Sequence, residues 1–116
     1  MSPVMEIRQK QSGPIAILEL EGRLTVNDQP GLLKEAVNAA LQNGARHVLL
    51  VLSGVGYIDS TRLGELIAAH ITVSRRGGRL RLVGTPDRIN ELLTLAGLES
   101  VFERFATTDE ASLQLN

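Results

Sequence analysis

Cysteine is absent from this sequence, and so is any apolar run long enough to cross a bilayer. The missing cysteine excludes disulfides, thiolate zinc sites and a thiol nucleophile, and it fits a reducing compartment. The longest apolar run, Val48 to Leu52, is far shorter than the roughly 20 residues of a membrane-spanning helix. Met1 to Glu6 carry no basic segment followed by an apolar stretch, so no secretory signal is predicted. We therefore expect a cytoplasmic protein without a membrane span.

An excess of positive charge is also missing. The formal net charge is -1 at pH 7, which removes the main electrostatic reason to expect direct binding of nucleic acid. The hydrophobic content of 43% is typical of a folded globular protein rather than a disordered chain. Because 116 residues have room for one compact core, we predict a single domain over residues 1–116.

Turn residues divide the chain into short strands and amphipathic helices. The run Arg46 to Leu52 is apolar on both faces, which is typical of a central strand covered by helices. A hairpin leads into crossover units, so we predict an α/β fold: a mixed four- to five-stranded sheet with helices packed on it, in the order β-β-α-β-α-β-α-(β)-α. The predicted strands span residues 4–10, 15–20, 46–52, 79–83 and 101–102, with a glycine-rich bend over residues 53–58. The predicted helices begin at Asn27–Asp28, Ser60 and Pro86, end before Gly44, Gly77 and Gly97, and are followed by a short helix over residues 109–115.

The junction between the buried strand and the second helix is the most informative part of the chain. In open α/β sheets, functional groups gather beyond the carboxyl ends of the strands. Ser60 is predicted to be the N-cap of this helix, where its hydroxyl accepts a hydrogen bond from the amide of Arg62 or Leu63. Two interpretations stay open on these grounds. Ser60 is only a cap, or it is a phosphorylation site at a helix end that tolerates the added charge.

Residues 54–64, Gly-Val-Gly-Tyr-Ile-Asp-Ser-Thr-Arg-Leu-Gly, resemble the signature of anti-sigma factor antagonists of the STAS domain family. The likeness extends over nearly the whole chain. It implies a STAS-type fold over residues 1–116, and it implies that Ser60, directly after Asp59, is the serine that a partner kinase phosphorylates. The other matching segments follow in the family's order: Gly22-Arg23-Leu24, Arg46 to Leu52, Arg76-Gly77-Gly78, and Leu95-Ala96-Gly97-Leu98 followed by Val101-Phe102.

The same resemblance implies a binding switch and not an enzyme, with no catalytic residue, cofactor or metal. Unphosphorylated protein would bind an anti-sigma factor that is also a serine kinase, and so release a sigma factor. Phosphorylation of Ser60 would dissociate the complex, and a serine phosphatase would reset it. Self-association into a homodimer stays open. The residues predicted to contact the partner are Thr25, Asn27, Asp28, Asp59, Thr61 and Arg62.

Two positions depart from the family pattern. Arg62 stands where the family usually has glycine, and we expect it to be exposed beside Ser60. Its guanidinium would pair with Asp59 or with a phosphate, since it suits either anion bidentately, or it would obstruct the kinase. Thr25 stands where the family often has an acidic residue, and Asp28 is a candidate to serve in its place.

Three other functions stay open. The first is a STAS docking subunit of another assembly, such as a lipid-transport ABC complex or a stressosome. The second is an enzyme or a nucleotide-binding protein, and the third is a purely structural domain. A dinucleotide-binding loop at Gly54-Val55-Gly56 is disfavoured because the third glycine is missing. Three further groups are interpreted as structural or solvated: the histidines His47 and His70, the carboxylates Glu19 and Glu21, and the basic cluster Arg75, Arg76, Arg79 and Arg81. For the basic cluster, contact with an anion or a partner stays open as the alternative.

Overall fold

The computed structural model describes residues 6–24 and 31–116, which form a five-stranded sheet with helices on both faces. The first two strands are an antiparallel hairpin, and the remaining neighbours are parallel. The mixed sheet and the order of elements confirm the predicted fold class. In spatial order, the strands are β1 (Glu6–Ser12), β2 (Ile15–Leu24), β3 (His47–Ile58), β4 (Leu80–Val83) and β5 (Glu103–Phe105).

Four helices cover this sheet: α1 (Leu32–Gln42), α2 (Ser60–Arg75), α3 (Asp87–Leu95) and α4 (Thr108–Ser112). Alternate side chains of a strand point to opposite faces of the sheet. Accordingly, Val48 and Leu50 of β3 join a core with α1, α2 and α3, whereas Leu49 packs with Ala111 of α4 on the other face. The central strand is therefore covered on both sides, as its apolar run predicted. None of the helices in the described part of the chain is long and apolar enough to cross a membrane.

The predicted bend over residues 53–58 is wrong, because β3 continues to Ile58 alongside an equally extended β2. Two register shifts keep the strands paired. Gly54 explains why glycine is needed here: a Cβ at this position would lie 2.8 Å from Cγ of Glu21 on β2. Gly54 therefore permits a close approach of two strands instead of a turn. The extension carries β3 directly to the start of α2.

Helix α1 begins later than predicted. Gly31 is its N-cap and has a left-handed backbone (φ 80°), a conformation outside the α-helical region. The helix therefore begins at Leu32, not at Asn27–Asp28, and those two residues lie outside the described residues. Smaller shifts occur elsewhere: α3 begins at Asp87 after an N-cap at Pro86, β5 lies just beyond the predicted residues 101–102, and α4 begins at Thr108.

Arg81 is not part of a solvated basic surface as predicted, because α4 covers this side of β4. The residue is only 7% exposed. One terminal nitrogen, Nη1, donates to the carbonyls of Ala111 (2.9 Å) and Leu113 (3.0 Å), and Nε donates to Glu103 (3.3 Å). The guanidinium also lies 5.0 Å from the centre of the Phe105 ring. Arg81 thus holds the end of α4 against the sheet, while three arginines of the cluster remain exposed: Arg75, Arg76 and Arg79.

Candidate functional site

The junction between β3 and α2 begins with a capping aspartate. Asp59 has an extended backbone, and its Oδ1 accepts a 2.8 Å hydrogen bond from the amide of Arg62. Its carbonyl accepts the first helical bond, from the amide of Leu63 at 2.9 Å. The prediction that Ser60 is the N-cap is therefore wrong by one residue. Aspartate and serine cap helices about equally well, so residue preference could not choose between them.

Ser60 is consequently the first residue of α2, and its side chain is exposed together with that of Thr61. Within the described part of the chain, the Ser60 hydroxyl takes part in no hydrogen bond. The amides of a first helical turn have no acceptor within the helix, and the macrodipole is positive there. A phosphate on this hydroxyl would lie at the positive end of the helix dipole, and the cap would remain because Asp59 provides it. The site can therefore gain charge while the helix start stays intact.

This division of roles predicts different costs for two neighbouring alanine substitutions. Asp59→Ala should lower the free energy of unfolding by about 1 kcal/mol, because it removes the cap. Ser60→Ala should change the free energy of unfolding by less than about 0.5 kcal/mol. The same small change is expected for Thr61→Ala, which is the exposed control. Urea unfolding followed by circular dichroism measures all three. If Ser60→Ala lowered the free energy of unfolding as much as Asp59→Ala, Ser60 would be the capping residue after all.

Arg62 lies beneath this exposed surface. Only 2% of it is exposed, and its Nη1 forms an ion pair with Oε2 of Glu65. The predicted exposure of Arg62 is wrong because Arg62 shares the buried stripe of α2 with Leu66 and Ala69, at the helical spacing i, i+4 and i+7. A guanidinium buried in that position cannot obstruct a partner that binds at the exposed surface. It can support the first turn of the helix from below.

A groove extends from Ser60 to α3. Its volume is about 660 Å³, and two exposed apolar side chains border it, Tyr57 (41% exposed) and Leu95 (86% exposed). Sequence reasoning missed this groove, since its two walls are far apart along the chain. This surface, called the Ser60 groove below, is lined by Tyr57, Ile58, Asp59, Ser60 and Leu63 on one side and by Arg88, Ile89, Glu91, Leu92, Leu95 and Ala96 on the other.

The structure brings Asp59, Ser60 and Thr61 together at one end of the sheet. Thr25, Asn27 and Asp28 lie outside the described residues. The last residue of β2, Leu24, is the register partner of Ile58, so the chain leaves β2 next to the junction. The predicted grouping of these two segments is thus compatible with the strand order, and contact between them stays a prediction.

Comparison with known proteins identifies relatives of this chain. A family model described as the STAS domain matches residues 6–111. The anti-sigma-B factor antagonist of Staphylococcus aureus is 30% identical over 84 residues, which cover 72% of this chain and 77% of that protein. An anti-sigma factor antagonist from Mycobacterium paratuberculosis has a similar crystal structure, with a TM-score of 0.83, 19% identity, and coverage of 99% of this chain and 98% of that one. The Bacillus cell fate determinant SpoIIAA in its phosphorylated form gives a TM-score of 0.71 at 16% identity, covering 91% of this chain and 96% of that one. At such identities the two structural likenesses concern the fold alone.

Proposed function

Because the chain belongs to the STAS domain family, we propose that it is an anti-sigma factor antagonist whose contact surface is switched by phosphorylation of Ser60. The observation that carries this proposal is the exposed Ser60 hydroxyl at the start of α2, directly after the capping Asp59. The unphosphorylated form binds an anti-sigma factor that is a serine kinase, which frees a sigma factor in the cytoplasm. A serine phosphatase restores the binding form. The chain itself acts by binding and catalyses no step.

Electrostatics explain how one phosphate would end the complex. A phosphoserine adds about -1.5 to -2 charges near neutral pH. Free amides of α2 stabilise that charge within the isolated protein, so the fold persists. In the complex, the phosphate would be taken out of water against a surface that had matched a neutral hydroxyl. Burying a charge without a matched partner is costly, and dissociation avoids that cost.

The Ser60 groove supplies the apolar part of the same contact surface. Exposed Tyr57 and Leu95 would be buried by a partner that covers Ser60, and apolar burial is the main favourable term in protein association. The groove therefore provides affinity, and Ser60 at its edge provides control. Asp59 and Thr61 continue the surface along the first turn of α2, and we include Thr25, Asn27 and Asp28 as its second part. Arg62 supports this surface from below and does not line it.

Incubation with the cognate kinase and ATP should place phosphate on Ser60 ahead of Thr61, as tandem mass spectrometry would show. Ser60→Ala should bind the kinase and resist phosphorylation. Ser60→Asp should weaken binding at least tenfold, about 1.4 kcal/mol, because the carboxylate supplies part of the phosphate charge. Titration calorimetry measures both affinities. Ser100→Asp is the matched control, since it adds the same charge on an exposed turn outside the groove.

Two outcomes would contradict the switch. The first is phosphate on Thr61 or elsewhere while Ser60 stays unmodified. The second is equal affinity of Ser60→Asp and Ser60→Ala for the kinase. Stable capture of a transporter subunit by protein that is never phosphorylated would instead favour a docking role in a lipid-transport assembly.

A further inference from the structure

A second cleft lies at the opposite end of the sheet from Ser60. It opens where β3 and β4 begin, beside the C-terminal part of α2, and has a volume of about 550 Å³. That volume falls within the range of about 300–1,000 Å³ that is common for small-molecule sites. We call it the basic cleft, and the polar residues that line it are Arg46, His47, His70, Ser74, Arg79, Glu103 and Asn116.

Two guanidinium groups give the cleft its positive charge. Nε of Arg46 donates to the carbonyl of Gly77 at 3.1 Å, which fixes the side chain at the wall and leaves its terminal nitrogens without a partner among the described residues. Nη1 of Arg79 lies 3.4 Å from Glu103, but both side chains are about half exposed, so this pair is weak. Glu103 is also shared with Arg81 at 3.3 Å. The one carboxylate of Glu103 is therefore shared between Arg79 and Arg81, and it leaves Arg46 without an ion-pair partner among the described residues.

The two histidines have different roles in this cleft. Nδ1 of His47 accepts from the backbone amide of Arg79 at 3.0 Å, and Nε2 lies 2.9 Å from the carbonyl of Asn116. A neutral ring with its proton on Nε2 satisfies both contacts, so His47 is structural and positions Arg79. The ring of His70 packs edge-on against Phe102, with Nδ1 buried and unpartnered within the described residues. His70 therefore lines the cleft through a ring that is held by its packing against Phe102.

We propose that the basic cleft binds a small anion that carries a phosphate group, independently of the switch at Ser60. Guanidinium groups match phosphate oxygens in paired, charge-assisted hydrogen bonds, and Arg46 and Arg79 flank the cleft. The side chains of Ser74 and His70 add further polar groups to the lining of the same cleft. The concave shape favours a small molecule over a flat acidic protein surface. Two of the chain's ten arginines line this one cleft although the net charge is -1, so general basicity of the protein does not explain their placement.

Titration of the whole chain with inorganic pyrophosphate, followed by amide NMR spectra, tests this proposal. Saturable shifts should appear at the amides of Gly77, Gly78 and Arg79. Arg46→Gln and Arg79→Gln should each weaken pyrophosphate binding about tenfold, the effect of losing one charge-assisted contact. Arg75→Gln is the matched control, because it removes the same charge from the same end of the molecule without lining the cleft. Ser60→Ala should bind pyrophosphate as well as the unmodified chain does.

Four results would overturn the proposal. The first is pyrophosphate binding that does not saturate, and the second is a loss of affinity in Arg75→Gln as large as in the two cleft variants. The third is chemical-shift changes confined to the first turn of α2. The fourth is a chain that binds an acidic peptide but does not bind pyrophosphate. Arg79→Gln keeps the test valid if Arg46→Gln unfolds, because the exposed Arg79 side chain makes only a weak pair. Thermal melting of each variant shows which of them retain the fold. Since Ser60 is at the other end of the sheet, failure here would leave the phosphorylation switch untouched.

Discussion

Replacing Arg62 with leucine should lower the free energy of unfolding by about 3–5 kcal/mol, because it leaves Glu65 charged and mostly buried without its partner. Arg62 is 2% exposed and the Glu65 side chain 23% exposed, so water can replace only part of the lost ion pair. The second oxygen of Glu65 is already buried without a hydrogen-bond partner among the described residues, which adds to the free-energy cost of an unpaired carboxylate. The cap would persist, since Asp59 accepts from the backbone amide of residue 62. Chemical denaturation at neutral pH, followed by circular dichroism, measures the loss.

Two control variants separate the ion pair from other effects of the substitution. The double variant Arg62→Leu with Glu65→Leu should regain most of the stability, because an apolar pair of similar volume often replaces a buried ion pair without loss. Arg75→Leu, on the exposed side of the same helix, should cost less than about 1 kcal/mol. A single variant as stable as the unmodified chain would show that Glu65 does not need Arg62. A double variant no better than the single one would show that Arg62 stabilises the helix through other contacts.

Much of the fold could be predicted because its signals are local. The apolar run at residues 46–52 predicted the central strand. Boundaries at the sheet's functional end were less predictable, as Gly54 illustrates. In the sequence this glycine indicates a bend, yet in the structure it admits Glu21 of the neighbouring strand. Whether a glycine marks a turn or a close contact depends on a strand that pairs from elsewhere in the chain.

The position of the candidate serine could be predicted from the sequence, whereas its surroundings depend on tertiary contacts. Ser60 could be found from the motif. The burial of Arg62 could not, because the polarity of arginine predicts an exposed side chain. The one local signal was Glu65, three residues later and able to pair on the same helix face. Leu95 gave no such signal, since one apolar residue on an exposed helix face is ordinary. Only the packing of α3 beside Ser60 places Leu95 at a groove.

Replacing Leu95 with glutamine should weaken binding of the anti-sigma partner by about 2 kcal/mol, roughly 30-fold, if the partner covers the Ser60 groove. This expectation rests on the proposed function. Leu95 is 86% exposed and lies outside the core, so the substitution should leave the melting temperature nearly unchanged. Glutamine suits an α-helix almost as well as leucine and adds no charge. The measured effect would therefore report the loss of apolar contact and not a change in the fold or in the charge of the surface.

Leu113→Gln provides the matched control for this measurement. Leu113 is also an exposed leucine, at 65%, but it follows α4 and does not line the groove. Titration calorimetry with the unphosphorylated chain should show a large loss for Leu95→Gln and a loss of less than about threefold for Leu113→Gln, consistent with a position outside the contact surface. Equal losses would mean that exposed leucines act nonspecifically. A contrary result would be full affinity in Leu95→Gln together with a strong loss in Ser60→Asp. The charge at Ser60 would then act without any contribution from α3, so the contact surface would be confined to the start of α2 and would not include the groove.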